Sequence, residues 1–151
     1  MKKHLDSILQ TRKFLLELIK DLSAEQINKV PAGFNNNIVW NLGHMIAAQQ
    51  SVCYRRAGLP LIVEDSFFTS YKPDSRPDGY VGPLEIDRIK ALLISTLDQF
   101  EADYEKHIFS NYPAWSTRYG LQISGIDEAI SFLPWHEGLH SGYIMALKRL
   151  V

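Results

Sequence analysis

A chain of 151 residues, of which 46% are hydrophobic and 22% charged, has the length and composition of one globular domain covering residues 1–151. Its formal net charge of −1 gives it no basic excess with which to neutralise phosphates, so neither nucleic acid nor a membrane is expected as a partner. The single cysteine, Cys53, excludes an internal disulfide and fits a reducing compartment.

The N-terminal segment does not have the pattern of a signal peptide. Charged residues at Asp6, Arg12, Lys13 and Glu17 interrupt its apolar runs before a hydrophobic region of sufficient length can form. No other segment approaches the roughly 20 consecutive apolar residues that a membrane-spanning helix requires. The sequence therefore predicts a cytoplasmic protein.

Helical periodicity begins near the N-terminus. Apolar residues close to helical spacing predict a first long helix over residues 5–22. The segment Ser23–Gln26 then matches a capping box, which predicts a short helix that ends before Pro31. The chain is therefore expected to begin with one long helix followed closely by one short helix.

A second long helix is expected after a pair of asparagines. Either Asn35 or Asn36 can serve as its N-cap, because a short polar side chain can accept a hydrogen bond from the first turn. The helix should continue to about Ala57, since Gly58 and Pro60 are unfavourable for its extension.

The middle of the chain combines a long connection with a third helix. Residues 58–83 are rich in glycine and proline, which predicts an irregular connection. Pro83 suits the first turn of a helix that should run to about Lys106. A loop over residues 111–120 and a short strand near Leu121–Ile123 are expected to follow.

The fourth long helix is predicted from about Ile126 to the C-terminus, with Ser124 and Asp127 resembling a cap. Pro134 lies inside this pattern and removes one backbone hydrogen bond, so it should either kink the helix just before His136 or separate two shorter helices. Four long helices joined by one long connection predict an all-α fold, a four-helix bundle with a crossover.

Three histidines are the main candidates for a functional site. His136 and His140 are four residues apart, so on a helix they lie on one face and can bind the same metal ion. Histidine pairs of this spacing also occur without a metal. A third ligand must come from upstream, because no His, Asp or Glu follows His140, and His44 on the second helix is the best placed. Three histidines would leave an open coordination position, as in catalytic zinc sites.

The segment His136–His140 also matches the H-E-x-x-H pattern of zinc peptidases. Those enzymes take their third ligand from downstream, where this chain offers none, so we do not expect a peptidase. Glu137 has two interpretations. It is a general base that acts on a metal-bound water, or it points to the surface or accepts a hydrogen bond from a ligand histidine.

Other residues near the histidines are candidates for a substrate pocket. Asn41 lies one helical turn before the second-helix histidine and should orient it or touch substrate. Trp40 and Tyr143 either form walls of the pocket or belong to the core. Gly43 and Gly138 each lie next to a candidate ligand, where glycine permits either close helix packing or room for a bound molecule.

The pattern Trp40-x-x-x-His44, the pair His136-x-x-x-His140 and the C-terminal segment 142–149 resemble the DinB-like superfamily over nearly the whole chain. The resemblance implies a four-helix bundle, a divalent-metal site at the three histidines, and a homodimer. Members with known activity are transferases and isomerases that use bacillithiol, mycothiol or a related thiol. Many others have no known substrate, so the resemblance does not imply one reaction.

The expected chemistry follows from three neutral imidazoles around one divalent ion. Such an ion lowers the pKa of a bound water or binds a thiol as the thiolate. We therefore expect a metal-dependent enzyme, a low-molecular-weight-thiol transferase or a hydrolase, acting on a small electrophile. The alternative is a non-catalytic metal-binding or stress-related bundle protein. Zinc suits the ligands best, and imidazole also accepts nickel or iron.

Overall fold

A computed structural model describes all residues, 1–151, as six α-helices and one two-stranded antiparallel sheet. The elements in chain order are α1 Lys2–Leu18, α2 Ala24–Asn28, α3 Ile38–Gln49, α4 Asp65–Tyr71, α5 Pro83–Glu105, β1 Trp115–Ser116, β2 Gln122–Ile123 and α6 Ile126–Lys148. A π-helical segment, Gln50–Arg55, directly continues α3. The predicted all-α fold is confirmed. None of the helices combines the length and the apolar composition needed to cross a membrane.

The hydrophobic core consists of two buried clusters, one toward each end of the long helices. The first cluster contains Leu15 of α1, Ile46 of α3, Leu93 of α5 and Ile144 of α6. The second contains Ile8 of α1, Cys53 of the π-helical segment, Phe100 of α5 and Ile130 of α6. The order of these residues along the chain shows that α3 and α5 run parallel to each other and antiparallel to α1 and α6. Two parallel neighbours require the predicted crossover connection.

The end of α1 and the start of α3 differ from the sequence-based prediction. α1 ends at Leu18 and not at Leu22, while the predicted capping box at Ser23 is present in full. The N-cap of α3 is Asn37, so the prediction of Asn35 or Asn36 is wrong. Asn37 takes this position because its Oδ1 accepts from the backbone N–H of Trp40 at 2.9 Å, while its Nδ2 donates to a carbonyl of α2 at 2.8 Å.

The connection between α3 and α5 contains a helix that the sequence did not indicate. The seven-residue α4 buries Phe67, Phe68 and Tyr71 against the first core cluster. Because these residues lie between segments rich in glycine and proline, the sequence pattern predicted an irregular connection throughout. The position of α4 matters for function, because it brings Tyr71 beside α3.

The C-terminal third follows the prediction more closely. α6 is continuous through Pro134, so the alternative of two shorter helices is wrong. The predicted cap at Ser124 and Asp127 is also wrong: Gly125 is the N-cap, and the carboxylate of Glu128 accepts from the backbone N–H of Ser124 at 2.6 Å. The strand expected near Leu121–Ile123 is present at Gln122–Ile123 and pairs with β1.

Candidate metal site

The fold brings His44 of α3 together with His136 and His140 of α6. One ring nitrogen from each histidine lies within 4.8 Å of the others. The ring centroids of His44 and His140, and those of His136 and His140, are 4.6 Å apart, and those of His44 and His136 are 5.4 Å apart. Three imidazoles in this arrangement are compatible with the binding of one metal ion.

The imidazole of His44 is oriented by α4. Its Nδ1 lies 2.8 Å from the carbonyl oxygen of Tyr71, and because a carbonyl only accepts, Nδ1 must carry the hydrogen. The ring of Trp40 stacks on the imidazole of His44, with centroids 4.7 Å apart and planes inclined by 13°. Nε2 of His44 therefore keeps its lone pair and is available as a metal ligand.

The imidazole of His140 is oriented by Asn41. The amide nitrogen of Asn41 donates to Asn36 Oδ1 at 3.0 Å and to the carbonyl of Asn37 at 2.7 Å. The amide oxygen therefore faces His140, and Nδ1 of that ring donates to it over 2.9 Å. Asn41 thus orients a histidine of the cluster, but this histidine is His140 of α6 and not His44, the one that the sequence had suggested.

Burial keeps all three imidazoles neutral at physiological pH. Desolvation lowers the pKa of His44, and it lowers the pKa of His136 to about 4 and that of His140 to about 3. The positive charge of Arg118 adds to the lowering for His44 and His136. Neutral imidazoles carry the lone pairs that a divalent ion needs, so the protonation state also fits a metal site.

A cavity of about 530 Å³ lies over the histidine cluster. All three pocket residues predicted from the sequence, Trp40, Asn41 and Tyr143, line this cavity. Its rim carries exposed side chains such as Tyr119, so the cavity reaches the protein surface. A space of this size accommodates a small molecule beside the histidines.

The sequence comparison agrees with this geometry. The family model of the DinB superfamily matches residues 7–144 of the chain. The chain belongs to the DinB superfamily. No curated protein shows significant sequence similarity to it. Membership in the DinB superfamily and the three-histidine cluster are both compatible with metal binding.

Glu137 does not face the cavity of this DinB superfamily protein. The residue is only 1% exposed, and its carboxylate accepts three hydrogen bonds from Arg12: Oε1 lies 2.6 Å from Nη2 and 3.1 Å from Nε, and Oε2 lies 3.3 Å from Nε. Burial raises the pKa of the Glu137 carboxyl, and the Arg12 guanidinium opposes that rise. Glu137 therefore lies in a buried ion pair inside the bundle. It is neither at the surface nor bonded to a histidine of the cluster, and we propose no catalytic function for it.

Arg12 is the main residue that the sequence analysis missed. It is fully buried, and its Nη1 donates to Gln49 Oε1 at 3.0 Å and to the carbonyl of Leu93 at 2.8 Å. Together with Thr96 and the carboxylate of Glu137, these groups form a polar layer that links α1, α3, α5 and α6. A signal was present, because Arg12 occupies a core position in the helical pattern of Ile8, Leu15 and Ile19.

Cys53 lies in the second core cluster and does not line the cavity. Its side chain is fully buried, and burial raises the pKa of its thiol. A thiol that stays protonated and inaccessible is a poor nucleophile. Cys53 is therefore not a nucleophile for chemistry in the cavity.

Proposed function

We propose that this protein binds one divalent metal ion through His44, His136 and His140 and is a metal-dependent enzyme. The proposed reaction delivers a nucleophile, either a low-molecular-weight thiol or water, to a small electrophile. The observation that carries the proposal is the cluster of three neutral histidines at the base of a cavity that reaches solvent. Zinc is the metal that the imidazole ligands favour, with nickel and iron as alternatives.

The geometry of the ligands supports a catalytic site over a structural one. The cluster offers three protein ligands, and no Cys, Asp or Glu is grouped with them as a fourth. A structural zinc site normally has four protein ligands, whereas a catalytic site keeps one position for solvent or substrate. This distinction favours an enzyme over the alternative of a non-catalytic metal-binding or stress-related protein.

The residues around the histidines have separate tasks in this proposal. Tyr71 and Asn41 hold the rings of His44 and His140 so that each presents Nε2. The aromatic side chains of Trp40 and Tyr143 line the cavity and offer apolar surface to a bound molecule. A divalent ion bound there would act as a Lewis acid, lowering the pKa of a thiol or water that coordinates it.

Metal binding is tested by calorimetric titration of zinc and by elemental analysis of the purified protein. The wild type should contain one divalent ion per chain, and His44→Ala, His136→Ala and His140→Ala should each lose most of it. The matched control is His4→Ala on α1, which lies outside the cluster and should keep the full metal content. Full metal retention in the three cluster variants would contradict the site.

The reaction is tested with two assays run side by side. The first measures conjugation of bacillithiol or glutathione to a small chloroarene, and the second measures hydrolysis of an aryl ester, each with and without chelator. Activity should require the metal, should be lost in His136→Ala, and should persist in Cys53→Ala. Activity that survives complete removal of the metal would overturn the proposed mechanism. Metal binding without turnover in either assay would favour the non-catalytic alternative.

A further inference from the structure

Two guanidinium groups line the same cavity as the histidine cluster. Arg56 directly follows the π-helical segment, and Arg118 lies in the turn between β1 and β2. Asp74 provides the only carboxylate that lines the cavity. Apart from the histidines, which carry no negative charge in either protonation state, the charged side chains that line the cavity are two guanidinium groups and one carboxylate. The cavity is therefore positively charged even before a metal binds.

The turn that presents Arg118 is held by its own hydrogen bonds. Oγ1 of Thr117 accepts from the backbone N–H of Tyr119 at 3.3 Å and from that of Leu121 at 3.1 Å. Arg118 itself contacts Asp74, with Nη2 3.6 Å from Oδ1, and the two side chains are 62% and 87% exposed. An ion pair this exposed contributes little. The guanidinium therefore keeps its N–H donors for a ligand.

Arg56 is positioned by aromatic contacts. Its guanidinium carbon lies 4.1 Å from the centroid of the Trp115 ring, within the range of a cation–π interaction. The indole N–H of Trp115 donates to the hydroxyl of Tyr112 at 2.8 Å, and this hydroxyl donates to the carbonyl of Val52 at 2.6 Å. Arg56 is thus held at the cavity wall, and its guanidinium forms no ion pair with a carboxylate of the chain.

We propose that this cavity recognises a small molecule by an oxyanion group, a carboxylate or a phosphate, which binds to Arg118 and Arg56. A planar guanidinium matches both groups, because it can donate two parallel hydrogen bonds to their oxygens. Aromatic side chains that line the same cavity suit an apolar portion of this molecule: they include Trp40, Trp115, Phe132 and Tyr143. The inference concerns the cavity of the proposed function and names the chemical class of its ligand.

The test is a titration of metal-free, chelator-treated protein with benzoate, benzamide and phenyl phosphate, followed by calorimetry. Benzamide matches benzoate in size and shape but lacks the charge. We expect the better of the two anions to bind about 100-fold more tightly than benzamide, because each of the two arginines should contribute about tenfold through one charge-assisted hydrogen bond. This preference should decrease with added salt. Tighter binding of phenyl phosphate than of benzoate identifies a phosphate ligand, and the reverse identifies a carboxylate.

Three variants connect the preference to the arginines. Arg118→Gln and Arg56→Gln should each reduce the affinity for the anion by about tenfold and leave that for benzamide unchanged. Arg118→Lys should retain part of the preference, because it keeps the charge but loses the planar donor pair. The matched control is Arg76→Gln, an exposed arginine that does not line the cavity and should behave as wild type.

Equal affinity of wild type for the anions and benzamide, including undetectable binding of all three, overturns the inference. So does an unchanged anion preference in both Arg118→Gln and Arg56→Gln. Because the titration uses metal-free protein, its result does not depend on whether the chain binds zinc or catalyses a reaction. The proposed function and this inference therefore fail in separate experiments.

Discussion

Tyr71 packs directly against the backbone of Gly43, so that a Cβ atom added to Gly43 would lie 2.4 Å from Cδ1 of Tyr71. The backbone carbonyl of the same Tyr71 accepts the hydrogen bond from Nδ1 of His44. Of the two explanations considered for this glycine, the structure shows close helix packing. A residue without a side chain therefore allows α4 to approach α3 and to orient a candidate metal ligand.

The first prediction is that Gly43→Ala weakens both the fold and the metal site. The added methyl group must displace the Tyr71 ring, and overpacking of this kind costs about 1–3 kcal/mol. Displacement of Tyr71 also moves the carbonyl that orients His44, so zinc affinity should fall. Urea unfolding and zinc titration measure the two effects. The matched control is Gly138→Ala, where a Cβ would meet no atom within 4 Å; it should preserve the zinc affinity and should not lower the stability, because alanine favours a helix more than glycine does. Wild-type zinc affinity in Gly43→Ala would contradict the link between the glycine and His44.

The second prediction concerns Asn41 and the tautomer of His140. Asn41→Ala removes the oxygen that accepts from Nδ1 of His140, so this ring is no longer fixed with Nε2 toward its neighbours. Loss of such a supporting contact typically weakens metal binding by about 10–100-fold. Asn41→Asp keeps an acceptor for Nδ1 of His140 but loses the two hydrogen bonds that the Asn41 amide donates to Asn36 and Asn37, so it should lose less zinc affinity than Asn41→Ala. Calorimetric zinc titration of both variants measures the difference. Equal losses in the two variants would show that the hydrogen bond to His140 is not the cause.

The residues of the site differ in how far the sequence could reveal them. The i,i+4 spacing of His136 and His140 follows from helix geometry, and the absence of a later ligand directs attention to His44. The partner of His44 is a backbone carbonyl in α4, and a carbonyl has no signature in the sequence. The sequence indicated that Asn41 would orient a histidine of the site. Which histidine it orients depends on how α3 packs against α6. The homodimer and the cytoplasmic location stay predictions.

In the fold too, features that depend on local sequence were predicted, whereas features that depend on long-range contacts were not. Helical periodicity and breaker residues predicted the four long helices, because these signals are local. The N-cap of α3 was misplaced because three consecutive asparagines, Asn35, Asn36 and Asn37, can all cap a helix, and only the contact of Asn37 with α2 distinguishes them. Arg12 was read as a charge that interrupts an apolar run, whereas its partner Glu137 lies 125 residues away. Long-range pairing of this kind cannot be read from local pattern.

The third prediction separates a structural Glu137 from a catalytic one. Glu137→Ala leaves the buried Arg12 charge without its partner, and breaking a buried pair in this way costs about 3–5 kcal/mol. The double variant Arg12→Met with Glu137→Leu removes both charges and should recover most of that loss. Urea unfolding measures the free energy of unfolding of the single and the double variant, and so both the loss and its recovery. Both variants should also retain the activity per folded molecule. Loss of catalysis in a Glu137→Gln protein of wild-type stability would instead indicate a general base.

The last prediction is that the metal-free protein loses stability when the pH falls from 7 to 5.5. Burial lowers the pKa of His44, His136 and His140 in the folded chain, whereas in the unfolded chain each titrates near about 6.5. The unfolded chain therefore binds protons first as the pH decreases, and the free energy of unfolding must fall. The slope approaches about 1.4 kcal/mol per pH unit for each proton bound only by the unfolded chain.

Urea unfolding of chelator-treated protein at several pH values measures this slope. His140→Gln removes one of the three groups and should flatten the slope between pH 7 and 5.5, because a glutamine binds no proton in either state. The control is again His4→Ala, whose histidine lies outside the cluster, and which should keep the wild-type slope. A stability that does not change over this range, or the same slope in His140→Gln, would mean that the folded protein accepts protons on the cluster as readily as the unfolded chain does. The three rings would then lack the desolvated environment that keeps them neutral and able to bind a metal.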